Sequence, residues 1–219
     1  MGLLDRISTR KSESEPVAFQ PPAPELDPLF STKALRKFLS CLTSRDLPVL
    51  IDLGPVVGSN VAYFGEQLGC KIFVTDVFAD LDRHVREGRI DEFGDFLTAK
   101  FTQVEGSVDG ILCWDFIDYL DKPSAQKLAD QLTRVLRPEG ALLGFFGTAP
   151  QNGAETHFNK FIVSDEGVNL RSRAYPARRG RQSIMLNRDI IKLFSGLRVS
   201  DSFLLKNNQR EILFRKPAA

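Results

Sequence analysis

The alternation of apolar and polar positions from about Leu29 onward predicts an α/β fold. Short continuous apolar runs are typical of strands buried on both faces of a parallel sheet, and they occur at 49–51, 72–74, 108–114 and 141–146. Apolar residues at helical spacing, i, i+3, i+4 and i+7, predict helices between and after these strands. The helical stretches are 31–41, 61–68, 81–89, 125–136 and 187–194.

Cap residues mark several predicted helix ends. Ser31 or Thr32, then Ser59 or Asn60, and later Asp80 are predicted N-caps, because their side-chain oxygens can accept from unpaired backbone N–H groups. Two hairpins are also predicted. One joins 161–163 to 168–170, and the other turns at Asn207-Asn208, where asparagine tolerates a positive φ.

The domain organisation follows from composition along the chain. Residues 1–28 are rich in Ser, Glu and Pro, so we expect a flexible leader. Residues 29–219 are expected to form a single domain. Within it, residues 150–187 form an insertion, expected to be a hairpin or flap on the substrate side.

Charge and cysteine content exclude some classes of function. With 29 basic and 28 acidic residues, the net charge of +1 indicates no particular partner. The three cysteines are far apart and the chain has two histidines, so neither a disulfide framework nor a metal site is expected. No apolar stretch is long enough to span a membrane. We therefore expect a soluble, cytoplasmic protein without metal or membrane partners; oligomeric state is not predicted.

One stretch carries most of the candidate chemistry. It runs from the first predicted strand through a turn containing Gly54 and Gly58 to the second strand, which ends at Asp76. Glycine allows a ligand to approach the backbone closely, and an acid at the end of the next strand can accept hydrogen bonds from ribose hydroxyls. The same turn also occurs in α/β sheets that bind no ligand.

This stretch, with Asp52 before the turn, resembles motif I of the class I S-adenosylmethionine-dependent methyltransferases, D/E-x-G-x-G-x-G. Val56 replaces the middle glycine. Three further segments are similar to the family: 108–120, where Asp118-Tyr119 replaces a frequent Glu-His pair; Val-Leu-Arg-Pro-Glu-Gly at 135–140; and the C-terminal hairpin. The resemblance implies a Rossmann-like, mostly parallel seven-stranded sheet flanked by helices, with a C-terminal antiparallel hairpin.

The resemblance also implies a cofactor and the residues that bind it. The cofactor is S-adenosyl-L-methionine, and the activity is methyl transfer to a small-molecule acceptor. Asp95 matches the acid that binds the adenine amino group, although an ordinary loop aspartate fits equally well. Trp114 could stack on adenine or be a core tryptophan. The implied cofactor-binding residues are Asp52, Gly54, Pro55, Val56, Gly58, Asp76, Val77, Asp95, Trp114 and Asp115.

The sequence indicates the catalytic residues and the acceptor less clearly than the cofactor-binding residues. A general base is required only if the nucleophile loses a proton during transfer, and the candidates are Asp115, Asp118, Tyr119 and His157. Six arginines between 171 and 188 could bind a carboxylate, a phosphate or a nucleic-acid backbone, or could form a solvated flap. Because interleaved aromatic residues are missing apart from Tyr175, a small acidic acceptor is favoured over nucleic acid.

Two other functions are compatible with the sequence. Val56 and the Asp118-Tyr119 pair would suit a methyltransferase-like binding or regulatory protein that has lost turnover. A nicotinamide-dependent oxidoreductase is disfavoured, because the turn fits the dinucleotide fingerprint G-x-G-x-x-G poorly and dinucleotide folds end without this hairpin.

Overall fold

A computed structural model of the protein describes residues 29–150, 156–164, 169–182 and 184–218. Its strands are β1 (Leu29–Ser31), β2 (Val49–Asp52), β3 (Lys71–Val74), β4 (Val108–Trp114), β5 (Leu136–Gly147), β6 (His157–Val163), β7 (Asn169–Pro176), β8 (Arg198–Leu204) and β9 (Gln209–Arg215). Its helices are α1 (Ala34–Thr43), α2 (Gly58–Ala62), α3 (Val77–Arg86), α4 (Phe93–Lys100), α5 (Lys122–Val135) and α6 (Asn187–Leu193). The predicted leader, 1–28, lies outside the described residues.

The central sheet has the order β3-β2-β4-β5-β9-β8. Strands β3, β2, β4 and β5 are parallel, and the β8–β9 hairpin adds two antiparallel strands beside β5. Asn208 adopts φ 57° in the hairpin turn, as the sequence predicted. The Rossmann-like α/β fold with a C-terminal antiparallel hairpin is thus confirmed.

The central sheet contains six strands in the described part of the chain, whereas the resemblance implied seven. The segment between α3 and β4 supplies none, because 93–100 is helical. After this helix, the carbonyls of Phe101 and Gln103 accept hydrogen bonds from the guanidinium group of Arg134 in α5. These backbone groups are satisfied without a neighbouring strand, and β3 remains at the edge of the sheet.

Two hydrophobic layers enclose the sheet because its strands alternate their apolar residues between the faces. Ile111 and Leu142 pack toward α3, α4, α5 and α6, whereas Leu112 and Leu143 pack toward α1. Burial on both faces explains the continuous apolar runs in the sequence.

A second sheet, in the order β1-β7-β6, lies across the carboxyl ends of the central strands. Phe158 of β6 packs with the layer that contains α3, and Phe161 packs with the layer that contains α1. We call this three-stranded sheet the cap. The predicted hairpin at 161–170 is part of it, with its turn residues 165–168 outside the described residues, whereas its third strand, β1, had no counterpart in the sequence prediction.

Of the predicted helix caps, Thr32 accepts from a backbone N–H at the start of α1 as predicted, whereas Asp80, Ser59 and Asn60 do not cap their helices. Asp76, rather than Asp80, caps α3 by accepting from the N–H of Ala79 at 2.9 Å. At α1, Thr32 accepts from Leu35, and Glu211 of β9 accepts from the N–H groups of Lys33 and Ala34. Helix α2 begins at Gly58 without a side-chain cap, so neither Ser59 nor Asn60 serves as its N-cap.

No helix in the described ranges is long and apolar enough to cross a membrane. None of the three cysteines forms a disulfide, and no His, Cys, Asp or Glu cluster in these ranges could hold a metal ion.

Candidate functional site

The carboxyl ends of β2, β3 and β4 meet at one edge of the sheet, where ligands bind in open α/β folds. The N–H of Leu53 donates to the carbonyl of Leu112, and the N–H of Thr75 donates to that of Asp52. The turn between Gly54 and Gly58 follows directly, so the predicted turn and Asp76 are adjacent in space as well as in the sequence pattern.

Asp52 and Trp114 bind each other at this edge. One carboxylate oxygen of Asp52 accepts from the Trp114 indole N–H at 2.6 Å and from the Gly54 N–H at 2.8 Å. The carboxylate is 2% exposed, and burial raises its pKa to about 6, against the lowering effect of these two donors. A Cβ at Gly54 would lie 2.8 Å from the indole, so only glycine fits this close approach.

Trp114 is also the centre of an aromatic stack. Its ring is nearly parallel to those of Phe161 in the cap and Phe145 in β5, with centroid distances of 5.1 and 6.1 Å. The residue has φ 50°, a conformation that bulky side chains rarely adopt and that often occurs at functional sites. The structure therefore uses Trp114 to fix the glycine turn and to hold the cap.

A cavity of about 480 Å³ adjoins Asp76 and Pro55, a volume within the usual range for small-molecule sites. Phe78 and Asp82 of α3 line one side, and Phe158, Lys160 and Tyr175 of the cap line the other. We call it the α3 cavity. Because Asp76 is fixed by its bond to Ala79, its carboxylate is held at the wall of this cavity, as recognition of ribose hydroxyls requires.

A buried ionic cluster lies beside this edge. Arg181 contacts Asp115 at 3.1 Å and Asp118 at 3.5 Å, and both carboxylates are at most 1% exposed. Asn159 of the cap donates to Asp115 at 3.0 Å, and the Gly147 N–H donates to Asp118 at 2.7 Å. The remaining oxygen of each carboxylate has no hydrogen-bond donor among the described residues.

Burial determines the protonation of this cluster. It raises the pKa of Asp118 to about 7, with the positive charge of Arg181 acting in the opposite direction. It also raises the pKa of Asp115, again against Arg181. We therefore expect the charge of the cluster to change near neutral pH.

Asn60 ties the cap to the glycine turn. Its side-chain amide donates to the Phe161 carbonyl at 2.9 Å, and its oxygen accepts from the Val163 N–H at 2.8 Å. Asn60 is 2% exposed, and its side chain forms two hydrogen bonds with the backbone of β6, as a neighbouring strand would. Because its side chain is bonded to β6, Asn60 does not serve as the N-cap that the sequence predicted.

We expect Asn60→Leu to loosen the cap. The substitution leaves a buried N–H and a buried carbonyl unpaired, which costs about 2 kcal/mol of stability. Hydrogen exchange at the Val163 amide should accelerate, and the exposed Ser59→Ala serves as a control. Unchanged exchange at Val163 would mean that the side chain of Asn60 does not hold β6.

The remaining predicted site residues are distributed as follows. Val56 is 60% exposed on the turn, and Val77, the first residue of α3, is buried. A Cβ at Gly58 would meet open space. Asp95 is not brought to this edge: it lies on α4, its side chain is 81% exposed, and it pairs with Lys127.

The six arginines do not act as one group. Arg178 pairs with Asp82, Arg179 donates to the Tyr119 carbonyl, and Arg188 is an exposed partner of Asp189. Arg181 joins the buried cluster. Neither the sequence pattern nor the spacing of the arginines distinguishes it, because its burial depends on how the cap folds over β4.

One family model matches part of this chain. Residues 51–144 match the family model described as "Methyltransferase domain", and the resemblance to S-adenosylmethionine-dependent methyltransferases is confirmed over this segment, which contains the glycine turn, Asp76 and Trp114. None of the curated proteins compared with the chain matches it.

Among solved structures, a Burkholderia thailandensis 1,6-didemethyltoxoflavin-N1-methyltransferase is 16% identical, with a TM-score of 0.44, over 84% of this chain and 78% of that one. A SAM-dependent methyltransferase from Aquifex aeolicus is 15% identical, with a TM-score of 0.47, over 83% and 88%. A geranyl diphosphate C-methyltransferase from Streptomyces coelicolor A3(2) is 13% identical, with a TM-score of 0.47, over 85% and 77%. Similarity at this level does not extend to substrates or to individual residues.

Proposed function

We propose that this chain, through the segment that matches the methyltransferase-domain family, catalyses S-adenosylmethionine-dependent methyl transfer to a small-molecule acceptor. The observation that supports the proposal is the α3 cavity, whose lining includes Asp76 and Pro55 of the glycine turn. When bound, the cofactor supplies a sulfonium methyl group that is already activated for transfer. The protein's task is then to bind, to orient and to exclude water.

The chain's own residues fit these tasks in different ways. Asp76 would accept hydrogen bonds from the ribose hydroxyls, and the Gly54–Gly58 turn allows close approach of a ligand to the backbone. Asp52, Trp114 and Gly54 support that turn from behind, so we assign them to its positioning. Asp115 and Asp118 position Arg181. Asp95 is not retained in the proposed site.

None of the four candidate bases lines the α3 cavity. His157 lines a second, larger cavity on the other side of β6, and Asp115, Asp118 and Tyr119 line neither cavity. We therefore assign no general base.

Calorimetric titration with S-adenosylmethionine and S-adenosylhomocysteine tests the proposal directly. We expect both to bind the wild type, and Asp76→Ala to weaken binding about 10- to 100-fold through loss of hydrogen bonds to a charged group. Asp76→Ser is the matched variant, because serine can still cap α3 but carries no carboxylate. It should weaken ligand binding equally while preserving the stability of α3.

The outcomes separate the alternatives. Failure of both adenosyl ligands to bind at millimolar concentration would overturn the proposal, and binding of NADH instead would indicate an oxidoreductase. Binding without turnover on any acceptor would favour the binding or regulatory protein. The wall that β6 forms between the two cavities is the structural observation in favour of that second candidate.

We also propose a class of binding partner and a cellular location. A small-molecule acceptor suits cavities of this size, and nucleic acid does not suit a site whose Arg181 is already bound to two carboxylates. The three cysteines without disulfides are consistent with a cytoplasmic location.

A further inference from the structure

A cavity of about 920 Å³ lies between the cap and the β8–β9 hairpin. Its walls come from β1, β6 and β7 on one side and from 204–209 on the other. We call it the hairpin cavity. It is about twice the volume of the α3 cavity, and its lining shares no residue with that of the α3 cavity.

Strand β6 forms the wall between the two cavities. His157 and Asn159 line the hairpin cavity, whereas Phe158 and Lys160 line the α3 cavity. This arrangement follows from the alternation of side chains along a strand. Asn159 also donates to Asp115, so the wall of the hairpin cavity is bonded to the buried ionic cluster.

The hairpin cavity has a cationic lining. Lys33, Lys206 and Arg181 line it, and none of its described lining residues is acidic. Arg181 is bound to two carboxylates, but neither lysine has an ion-pair partner among the described residues. A ligand in this cavity therefore meets two lysine charges that the described protein does not neutralise.

The same cavity has an apolar portion. Phe30 and Leu205 are partly buried in its wall, and Leu29 and Leu204 are 55% and 69% exposed. Large apolar side chains this exposed, next to polar groups such as Asn207, are typical of ligand-binding grooves. The lining thus offers both cationic and apolar contacts.

We propose that the hairpin cavity binds an amphipathic anion: a carboxylate, sulfate or phosphate attached to an apolar or aromatic body. The class of ligand rests on the lining of the cavity; because β6 separates this cavity from the α3 cavity, the anion is a second ligand and not the methyl acceptor. Lys33 and Lys206 bind the anion, and Phe30 and the leucines contact the apolar body.

Two fluorescent probes test this class without knowledge of the natural ligand. 8-Anilinonaphthalene-1-sulfonate carries an anionic group on an aromatic body, and N-phenyl-1-naphthylamine has the same body without the sulfonate. We expect the first to bind wild-type protein at one site per chain and more tightly than the second.

Lysine variants show which residues recognise the anion. The double variant Lys33→Ala/Lys206→Ala should weaken binding of the sulfonate probe about 5- to 30-fold, as expected for two partly exposed charges. Its affinity for the neutral probe should change less than twofold. The control variant Lys122→Ala/Lys192→Ala removes two exposed lysines outside the cavity and should change the affinity for neither probe. Equal weakening of both probes, or no weakening of either, would overturn the proposal.

A cavity-filling variant locates the site. Ser172 lies in the wall, so Ser172→Phe should exclude both probes. Circular dichroism and the emission of Trp114, the chain's single tryptophan, establish that the variant is folded. Full binding of the sulfonate probe to folded Ser172→Phe would place the probe elsewhere and overturn the proposal.

Titration of the lysine variant with S-adenosylhomocysteine separates this proposal from the proposed function. We expect its affinity for S-adenosylhomocysteine to equal that of the wild type. If the adenosyl ligand binds but the probes do not discriminate, the ligand class is wrong and the methyltransferase proposal stands. If the probes discriminate but no adenosyl ligand binds, the anion-site proposal stands and the methyltransferase proposal fails.

Discussion

Replacing Arg181 with methionine is expected to lower the free energy of unfolding by about 3–5 kcal/mol at pH 8, because it leaves two buried carboxylates without a counter-charge. Methionine preserves much of the apolar length of the side chain, so lost packing contributes little. Urea unfolding, followed by circular dichroism from pH 5 to pH 8, measures the effect.

The loss should depend on pH. Burial already raises the pKa of Asp118 to about 7 in the wild type, and removal of Arg181 raises it further. At pH 5 the carboxyl group of Asp118 is largely protonated, so the variant should lose less stability than at pH 8. A loss that is equal at both pH values would contradict the electrostatic explanation.

A triple variant supplies the control. Asp115→Asn and Asp118→Asn remove the buried charges while preserving amide groups of similar size. Combined with Arg181→Met, they should recover most of the stability at pH 8, because a buried ion pair can be replaced with little net cost once both signs are removed.

The wild type itself should become less stable as the pH rises from about 4 to 7. Asp52 and Asp118 have folded-state pKa values of about 6 and 7, above the ordinary value of 3.8, so the folded protein retains protons that the unfolded chain releases. The stability from these groups is complete below the unfolded pKa and is lost as the pH passes the folded pKa. Asp118→Asn should reduce the change in the free energy of unfolding with pH, whereas Asp46→Asn, at an exposed position, should leave it unchanged.

Replacing Trp114 with alanine is expected to cost about 3–5 kcal/mol, the usual range for deletion of a buried aromatic ring. The ring is 1% exposed, stacks on Phe145 and Phe161, and is a hydrogen-bond donor to buried Asp52. Trp114→Phe keeps a ring but removes the donor, so its cost should be about 1–3 kcal/mol. Urea unfolding followed by far-ultraviolet circular dichroism measures both.

A double-mutant cycle with Asp52→Asn isolates the hydrogen bond. If the indole N–H stabilises the Asp52 carboxylate, Trp114→Phe should cost less in the Asp52→Asn background than in the wild type. Equal costs in both backgrounds would show that Trp114 contributes through packing alone.

The sequence predicted the central sheet well because its signals are local. Strand β2, the turn with Gly54 and Gly58, and the hairpin at Asn208 each follow from a few neighbouring residues. Strand β1 was missed because it has three residues and pairs with β7, which lies more than a hundred residues further along the chain.

Side-chain partners at the site were less predictable for the same reason. The Asp52–Trp114 bond joins residues 62 positions apart, and Asn60 bonds to residues about a hundred positions away. Asp95 was assigned through the family resemblance, but the structure places it on α4 with its side chain at the surface. Such pairings depend on how the cap packs, and no spacing in the sequence encodes them.

The alternation along β6 means that consecutive positions of one short strand line different cavities. We expect a substitution at 157 or 159 to change the wall of the hairpin cavity, and one at 158 or 160 to change the wall of the α3 cavity. Single substitutions in one strand can therefore alter the two ligand sites independently.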